Sequence, residues 1–131
     1  MKKQVLRASV LGAVVGGLVA CSSQSLLDSH WIDAGPPVGQ APVSLDIGPD
    51  GRVSGNTGCN RYIGKAEISD QGVRLVQGGS TRMFCFPQEV MDTETRLLAA
   101  LDKTRAARQE QGLLLLLDEA GQVLWRFKPR D

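Results

Sequence analysis

The chain has 131 residues, of which 15 are basic and 14 acidic, and its net charge is +1. This length suits a single small domain. Three of the 15 basic residues fall within residues 1–20, so the remaining chain carries 12 basic against 14 acidic residues, a balance that argues against a nucleic-acid partner.

The first 20 residues have the pattern of a lipoprotein signal peptide. Lys2, Lys3 and Arg7 precede an apolar stretch that ends in Leu18-Val19-Ala20-Cys21. At about 1.5 Å per residue this stretch covers about 20 Å, less than the roughly 30 Å of a bilayer core, so we expect its removal rather than a transmembrane helix. Cys21 is then predicted to carry the lipid anchor. The alternative is an ordinary secretory cut with Cys21 an incidental thiol, but Leu18 is larger than such a cut prefers.

Residues 21–29 are predicted to be the lipidated cysteine and a polar tether, and residues 30–131 the folded domain. Ser22 and Ser23 follow the anchor without an aspartate. Their resemblance to the same positions of Gram-negative lipoproteins implies delivery to the outer membrane, facing the periplasm.

Cys59 and Cys85 are the two thiols that remain once Cys21 is lipidated. An oxidising periplasm favours their pairing, which is worth about 3 to 4 kcal/mol in the chain-entropy treatment. Two buried free cysteines are the alternative. A structural zinc site needs four nitrogen or sulfur ligands, and two thiols with His30 do not supply them, so no metal site is predicted.

Most of the domain is predicted to form strands. Five strands are predicted before the helix, because their residues alternate between apolar and polar or are bounded by turn residues. They are 31–32, 43–47, 52–55, 62–68 and 73–76. Turns are expected at 49–51 and 70–72. Gly78-Gly79 is expected to end the last of these strands.

Residues 88–103 are predicted to form the helix, because Val90, Leu97, Leu98 and Leu101 recur at helical spacing. Strands are predicted to follow at 105–109, 113–117 and 123–127. The leucine run 113–117 is too short to cross a membrane and is typical of a buried strand. The predicted fold class is therefore α+β, with a curved antiparallel sheet of half-barrel-like meanders wrapped around one central helix.

No catalytic constellation is visible in the sequence. His30 is the single histidine, and it is predicted to lie at the surface or at a strand edge rather than to act as a base. The segment Gly55-Asn56-Thr57-Gly58 lacks the lysine and the following helix of a phosphate-binding loop. The protein is therefore predicted to be neither an enzyme nor a cofactor-binding protein.

Glu94 places a charge on the apolar face of the predicted helix, which costs free energy unless the carboxylate is paired or hydrogen-bonded. If the disulfide brings residues 59 and 85 together, the nearest partners are Arg82, Asn60 and backbone amides of the glycine-rich loop. We expect Glu94 to hold that loop to the helix, in preference to binding a ligand.

Three motifs carry a resemblance to a known family: Gly58-Cys59-Asn60-Arg61-Tyr62-x-Gly64, then Ser80-Thr81-Arg82-Met83-x-Cys85, then a helix with Glu94 that ends in Leu97-Leu98-Ala99-Ala100-Leu101. Over about residues 30–128 the chain resembles the META domain family of HslJ-like lipoproteins. The resemblance implies an envelope location, an association with stress tolerance and novobiocin resistance, and no catalytic residues. It implies structural roles for Gly58, Asn60, Gly64, Thr81, Arg82, Met83 and Glu94. The fold is also similar to that of secretin pilot lipoproteins, which hold acyl chains or peptide segments.

Two functions of different class follow. A protein that binds a periplasmic or envelope partner should have a packed interior and an exposed apolar patch. A carrier of an acyl chain or small hydrophobic ligand needs an apolar pocket of about 300 Å³ or more, expected to be lined by residues such as Leu113, Leu115 and Trp125.

Overall fold

A computed structural model describes residue 12 and residues 25–131. Apart from residue 12, the predicted signal peptide lies outside the described residues, and so do Cys21, Ser22 and Ser23. The described part contains eight strands and one helix, which are β1 (Ser29–Asp33), β2 (Ser44–Ile47), β3 (Arg52–Asn56), β4 (Arg61–Ser69), β5 (Gly72–Ser80), α1 (Gln88–Lys103), β6 (Ala106–Glu110), β7 (Leu113–Leu117) and β8 (Val123–Pro129). None of the described helices is long and apolar enough to cross a membrane.

The strands form one antiparallel sheet in the order β5-β4-β3-β2-β1-β8-β7-β6. The sheet is strongly curved, because its two edge strands approach each other: the Val73 amide of β5 donates to the Arg105 carbonyl just before β6, at 2.9 Å. The helix α1 packs against β5, β7 and β8. The predicted α+β class, a curved antiparallel sheet around one helix, is confirmed.

The core lies between the helix and the concave face of the sheet. Leu97 and Leu101 of α1 pack there against Leu114 and Phe127 of the C-terminal strands, and Leu45 enters from β2. Leu97, Leu114, Phe127 and Leu45 are each 0% exposed. Burial of this apolar surface is the main favourable term in folding.

The leucine run of β7 is buried on both faces of its strand, as predicted for residues 113–117. Leu114 and Leu116 face the core. Leu115 points the other way, where the strand register places Arg108 and Arg126 opposite it. Long arginine side chains cover apolar surface while their charged ends stay in water, which explains how an outward leucine is buried.

Strand β5 differs from the prediction, because it does not end at Gly78-Gly79 but continues to Ser80. The pairing with β4 shifts register between Ile63 and Gly64, so Gly64 lies opposite Gln77 and Ile63 opposite Gly79. Gly79 has a φ of +153°. The glycines therefore permit an irregularity within the strand rather than a turn that stops it.

The alternating strand directions give the sheet two ends. The start of β1 at Ser29, the β2–β3 turn and the β4–β5 turn lie at one end, which we call the Ser29 end. The segments 34–43, 57–60 and 81–87 lie at the opposite end, the loop end. Leu26, which the sequence places in the tether, packs against the core, and its carbonyl accepts a hydrogen bond from the Ser29 hydroxyl at the Ser29 end.

Candidate functional site

The segment between β5 and α1, residues 81–87, exposes large apolar side chains; we call it the apolar loop. Met83 is 58% exposed, Phe84 66% and Phe86 82%. The two phenylalanine rings meet edge to face with their centroids 5.5 Å apart. A cluster of exposed aromatic side chains marks an interaction surface more often than a scattered apolar residue does.

A disulfide ties the apolar loop to the segment 57–60. Cys59 and Cys85 are bonded, with their Cα atoms 5.8 Å apart, so the predicted pairing is present. The peptide bond between Phe86 and Pro87 is cis. The disulfide thus fixes the loop covalently at Cys85, the residue between its two phenylalanines.

Asn60 fixes the backbone of the apolar loop from beneath and is itself 1% exposed. Its Nδ2 donates to the Met83 carbonyl at 3.0 Å and to Glu94 Oε1 at 2.7 Å. Its Oδ1 accepts from the Met83 amide at 2.7 Å and from the Thr81 hydroxyl at 3.0 Å. The side-chain amide thus uses both donors and both acceptor positions on the loop and the helix.

Glu94 joins α1 to the segment 57–60. Its Oε1 accepts from Asn60 Nδ2 and from the Thr57 hydroxyl, the latter at 2.8 Å. Thr57 is fully buried, and its hydroxyl oxygen also accepts from the amides of Cys59 and Asn60, at 3.3 and 2.8 Å. The carboxylate that intrudes on the apolar helix face is therefore compensated by hydrogen bonds from neutral groups.

The structure brings together some of the residues that were predicted to surround Glu94. Asn60 contacts the carboxylate as expected. The amides of the glycine-rich loop reach Thr57 instead, and Arg82 does not contact Glu94: its side chain is exposed, with no hydrogen bond or ion pair to the described residues. A guanidinium is not needed there, because two neutral donors already satisfy the oxygen.

The family-motif residues divide between the apolar loop and β4. Asn60 and Glu94 lie beneath the loop and Thr81 and Met83 belong to it, while Gly58, in the adjoining segment 57–60, has a φ of +96° that favours glycine. Gly64 lies in β4, where an added Cβ would come within 2.4 Å of the Val76 carbonyl oxygen of β5. Its role is to permit close strand pairing at the register shift.

A groove of about 300 Å³ runs beside the apolar loop. This volume lies at the lower end of the range for ligand pockets and suits an inserted side chain. Apart from Gln40, the lining residues are small or apolar; the full set is Gln40, Ala41, Gly58, Cys59, Met83, Cys85, Phe86 and Val90.

Of the residues expected to line a carrier pocket, Leu113 and Leu115 point to the same side of β7, whereas Trp125 lies on the other face of the sheet. Trp125 pairs with Leu116, packs against the core, and donates from Nε1 to Asp33 Oδ1 at 3.1 Å. Leu115 lies on the opposite face of the sheet. Since successive side chains of a strand alternate in direction, Leu115 and Trp125 cannot line one cavity.

His30 and Tyr62 have structural partners. His30 lies exposed on β1 with its Nδ1 2.8 Å from Asp46 Oδ1. Burial, and then the charge of Asp46, raise the pKa of Tyr62, whose neutral hydroxyl donates to the Ser44 carbonyl at 2.6 Å. Among residues 25–131 and residue 12, no group of three or more His, Cys, Asp or Glu side chains could hold a metal ion.

Sequence reasoning missed Thr57, Phe84 and Phe86. Thr57 precedes the amides of Cys59 and Asn60 by two and three residues in a glycine-rich loop. Threonine hydroxyls often accept hydrogen bonds from such nearby backbone amides, and that spacing was the available signal. Phe84 and Phe86 flank a disulfide cysteine and lie outside the periodic segments 73–76 and 88–103. That lack of periodicity was the available signal of exposed apolar residues.

A family model described as META domain matches residues 24–131. An NMR structure of a protein from Burkholderia xenovorans is 22% identical, with a TM-score of 0.66, over 80% of this chain and 83% of that one. A second protein solved by NMR is 19% identical, with a TM-score of 0.59, over 78% of this chain and 89% of that one. At these identities the likeness shows the fold alone. No curated protein sequence matches the chain.

Proposed function

This chain belongs to the META domain family, and on that basis we propose that it is a non-enzymatic, lipid-anchored envelope protein that binds a protein partner through the apolar loop. The resemblance to HslJ-like lipoproteins supports a role of this binding in stress tolerance or in resistance to antibiotics of the novobiocin type.

The observation that carries the proposal is the combination of exposed side chains with a fixed backbone. Phe84 and Phe86 are exposed, while the disulfide at Cys85 and the two hydrogen bonds between Asn60 and the Met83 backbone hold the loop. Aromatic side chains are enriched among the residues that dominate interface energies. A loop that is ordered before binding loses less conformational freedom on association.

The direction of the loop supports a protein partner rather than the bilayer of the anchor. Four residue steps separate Cys21 from Ser25, a reach of at most about 14 Å. Leu26 and Ser29 lie at the Ser29 end, and the apolar loop lies at the other end of the strands, about 15 Å away for a five-residue strand such as β1. A lipid on Cys21 would therefore be attached nearer to the Ser29 end than to the apolar loop.

The alternative function, an acyl-chain or small-hydrophobe carrier like a pilot protein, has less support, because Leu115 and Trp125 lie on opposite faces of the sheet. Native mass spectrometry of the purified protein separates the two functions. Co-purified acyl chains on a variant with Cys21→Ser would favour the carrier.

Photo-crosslinking in cells tests the proposed function. Full-length protein with a photoreactive phenylalanine at position 84 should form a defined adduct with an envelope protein, and Phe86→Ser should reduce its yield about tenfold. The same probe at Gln71, an exposed residue of the turn at the Ser29 end, should not form that adduct. Equal adducts from both positions, or an adduct that is insensitive to Phe86→Ser, would contradict the proposal.

Metabolic labelling tests the anchor separately. Radioactive palmitate should label the wild-type protein, and Cys21→Ser should abolish the label. Labelling that survives Cys21→Ser would place the lipid elsewhere.

A further inference from the structure

We propose that the partner binds as an extended segment that adds a strand to the free edge of β5 at residues 76–80, with its side chains against the adjoining apolar loop. This inference rests on the proposed function, since it assigns the form in which a protein partner meets the loop.

The exposed backbone of β5 is the first observation. β5 is an edge strand of the sheet, and each of its residues 76–80 is exposed, although Gln77 Nε2 donates to the Leu98 carbonyl of α1 at 2.9 Å. Gly78 and Gly79 have no side chain, so their exposure is exposure of backbone. An added Cβ at Gly79 would meet no atom within 4 Å. A free strand edge with accessible amides and carbonyls is a template for a further strand.

The contrast between the two sheet edges is the second observation. The other edge strand, β6, carries Arg108 and Glu110, which form an ion pair of 3.3 Å. The first part of β5 is occupied by the bond from Val73 to Arg105. Residues 76–80 of β5 contain neither a charged residue nor a proline. Charges and prolines are two of the usual protections of edges against strand addition, and this stretch carries neither.

Continuity with the apolar loop is the third observation. β5 leads directly into the loop at Thr81, whose amide donates to the Arg61 carbonyl at 2.9 Å. The strands beside this edge also expose Ile63, at 60%, and Val76, at 45%. A segment laid along residues 76–80 would continue towards Met83 and Phe84.

These surfaces define the chemistry of the partner. Main-chain hydrogen bonds to β5 supply affinity without side-chain preference, and alternate side chains supply specificity. The uncharged edge and the apolar loop favour a segment that is extended, uncharged, and rich in β-branched or aromatic residues at alternate positions. One such side chain suits the groove beside Met83 and Phe86.

A selected peptide is the probe for the test. Ten-residue peptides are selected from a random displayed library against the purified full-length protein, and the Kd of the tightest peptide is measured by fluorescence anisotropy. Two N-methylated versions of this peptide are then made. One carries backbone N-methyl groups at its odd-numbered residues, and the other carries them at its even-numbered residues. Strand addition predicts that one set raises Kd at least about tenfold and the other less than about twofold, because only one edge of the added strand bonds to β5.

Variants of the protein locate the binding site. Gly78→Lys should raise Kd about tenfold, since a lysine protects an edge strand, and its Cβ would lie 3.4 Å from the Ile63 carbonyl oxygen. Thr95→Lys on the exposed face of α1 adds the same charge and should change Kd less than about twofold. Thermal unfolding of both variants confirms that they are folded.

The outcomes separate the two proposals. Equal effects of both methylated sets, or no effect of Gly78→Lys, would overturn strand addition, and weakening by Phe84→Ser would then still support the loop as a binding surface. Weakening by Gly78→Lys without weakening by Phe84→Ser would overturn the loop function. A wild-type dimer that Gly78→Lys converts to monomer would assign the edge to a second copy of the chain and overturn the inference. A library that yields no peptide sensitive to Gly78→Lys would also overturn it.

Discussion

The core and the apolar loop contain the same kinds of side chain in opposite settings. In the core, Phe127 and Leu97 are fully buried, and packing of their apolar surface stabilises the fold. In the apolar loop, Phe84 and Phe86 are exposed, and polar and covalent contacts from Asn60 and Cys59 hold the backbone. Substitutions of loop side chains should therefore separate binding from stability, whereas substitutions beneath the loop should affect both.

The largest effect is expected when the same truncation is made in both regions. Phe127→Ala should lower the free energy of unfolding by about 3 to 5 kcal/mol, because it removes buried surface and leaves a cavity. Phe86→Ala should change it by less than about 0.5 kcal/mol, since that ring is already in water. Urea unfolding measures both variants. Similar losses would mean that the phenylalanine of the loop is buried in solution.

Removal of the disulfide should have the next largest effect. Replacing both cysteines, Cys59→Ser with Cys85→Ser, should cost about 3.5 kcal/mol for a sequence separation of 26. Reduction should lower the stability of the wild-type protein by a similar amount and leave the double variant unchanged. Wild-type stability that is insensitive to a reductant able to open the bond would show that the loop is held without it.

Asn60→Asp should cost about 2 to 4 kcal/mol in urea unfolding. It keeps the size of the side chain but removes both donors and sets a carboxylate against Glu94 and the Met83 carbonyl. Asn56→Asp is the matched control, because Asn56 uses its Oδ1 as an acceptor from the Gly58 amide, and an aspartate retains that acceptor. A loss of unfolding free energy no larger than that of Asn56→Asp would show that the hydrogen bonds of Asn60 do not stabilise the loop.

Among substitutions beneath the loop, Glu94→Gln should have the smallest effect, a loss of about 1 kcal/mol in the free energy of unfolding. The amide oxygen can still accept hydrogen bonds from Thr57 and Asn60, but the negative charge that strengthens those bonds is lost. Glu67→Gln on the exposed face of β4 should be close to neutral. Unchanged stability of Glu94→Gln together with loss of partner binding would instead favour a ligand-binding role for Glu94.

The parts of this fold that were predictable depend on local periodicity. The helix was predicted at residues 88–103, and α1 has those bounds, because apolar residues repeat at helical spacing there. The strand β5 was predicted too short, because glycine pairs usually end strands and the register shift that accommodates these two depends on β4. Local patterns do not report such long-range pairing.

The candidate site shows the same limit. The pairing of Cys59 with Cys85 and the contact of Asn60 with Glu94 were anticipated from the need to satisfy thiols and a carboxylate. The exposure of Phe84 was not, because apolar residues near a helix start are more often part of the core. The direction of the Phe84 side chain depends on how the loop backbone is held. Asn60 and Cys59, which lie between β3 and β4, hold that backbone.

Backbone dynamics of the free protein test most directly whether the apolar loop is held rigid while its side chains are exposed. The measurement is the ¹⁵N order parameter of the Met83 and Phe84 amides in the full-length protein. We expect values of about 0.85, as in the strands, because Asn60 and the disulfide fix this backbone. Values below about 0.6 would show a flexible loop and would contradict the account.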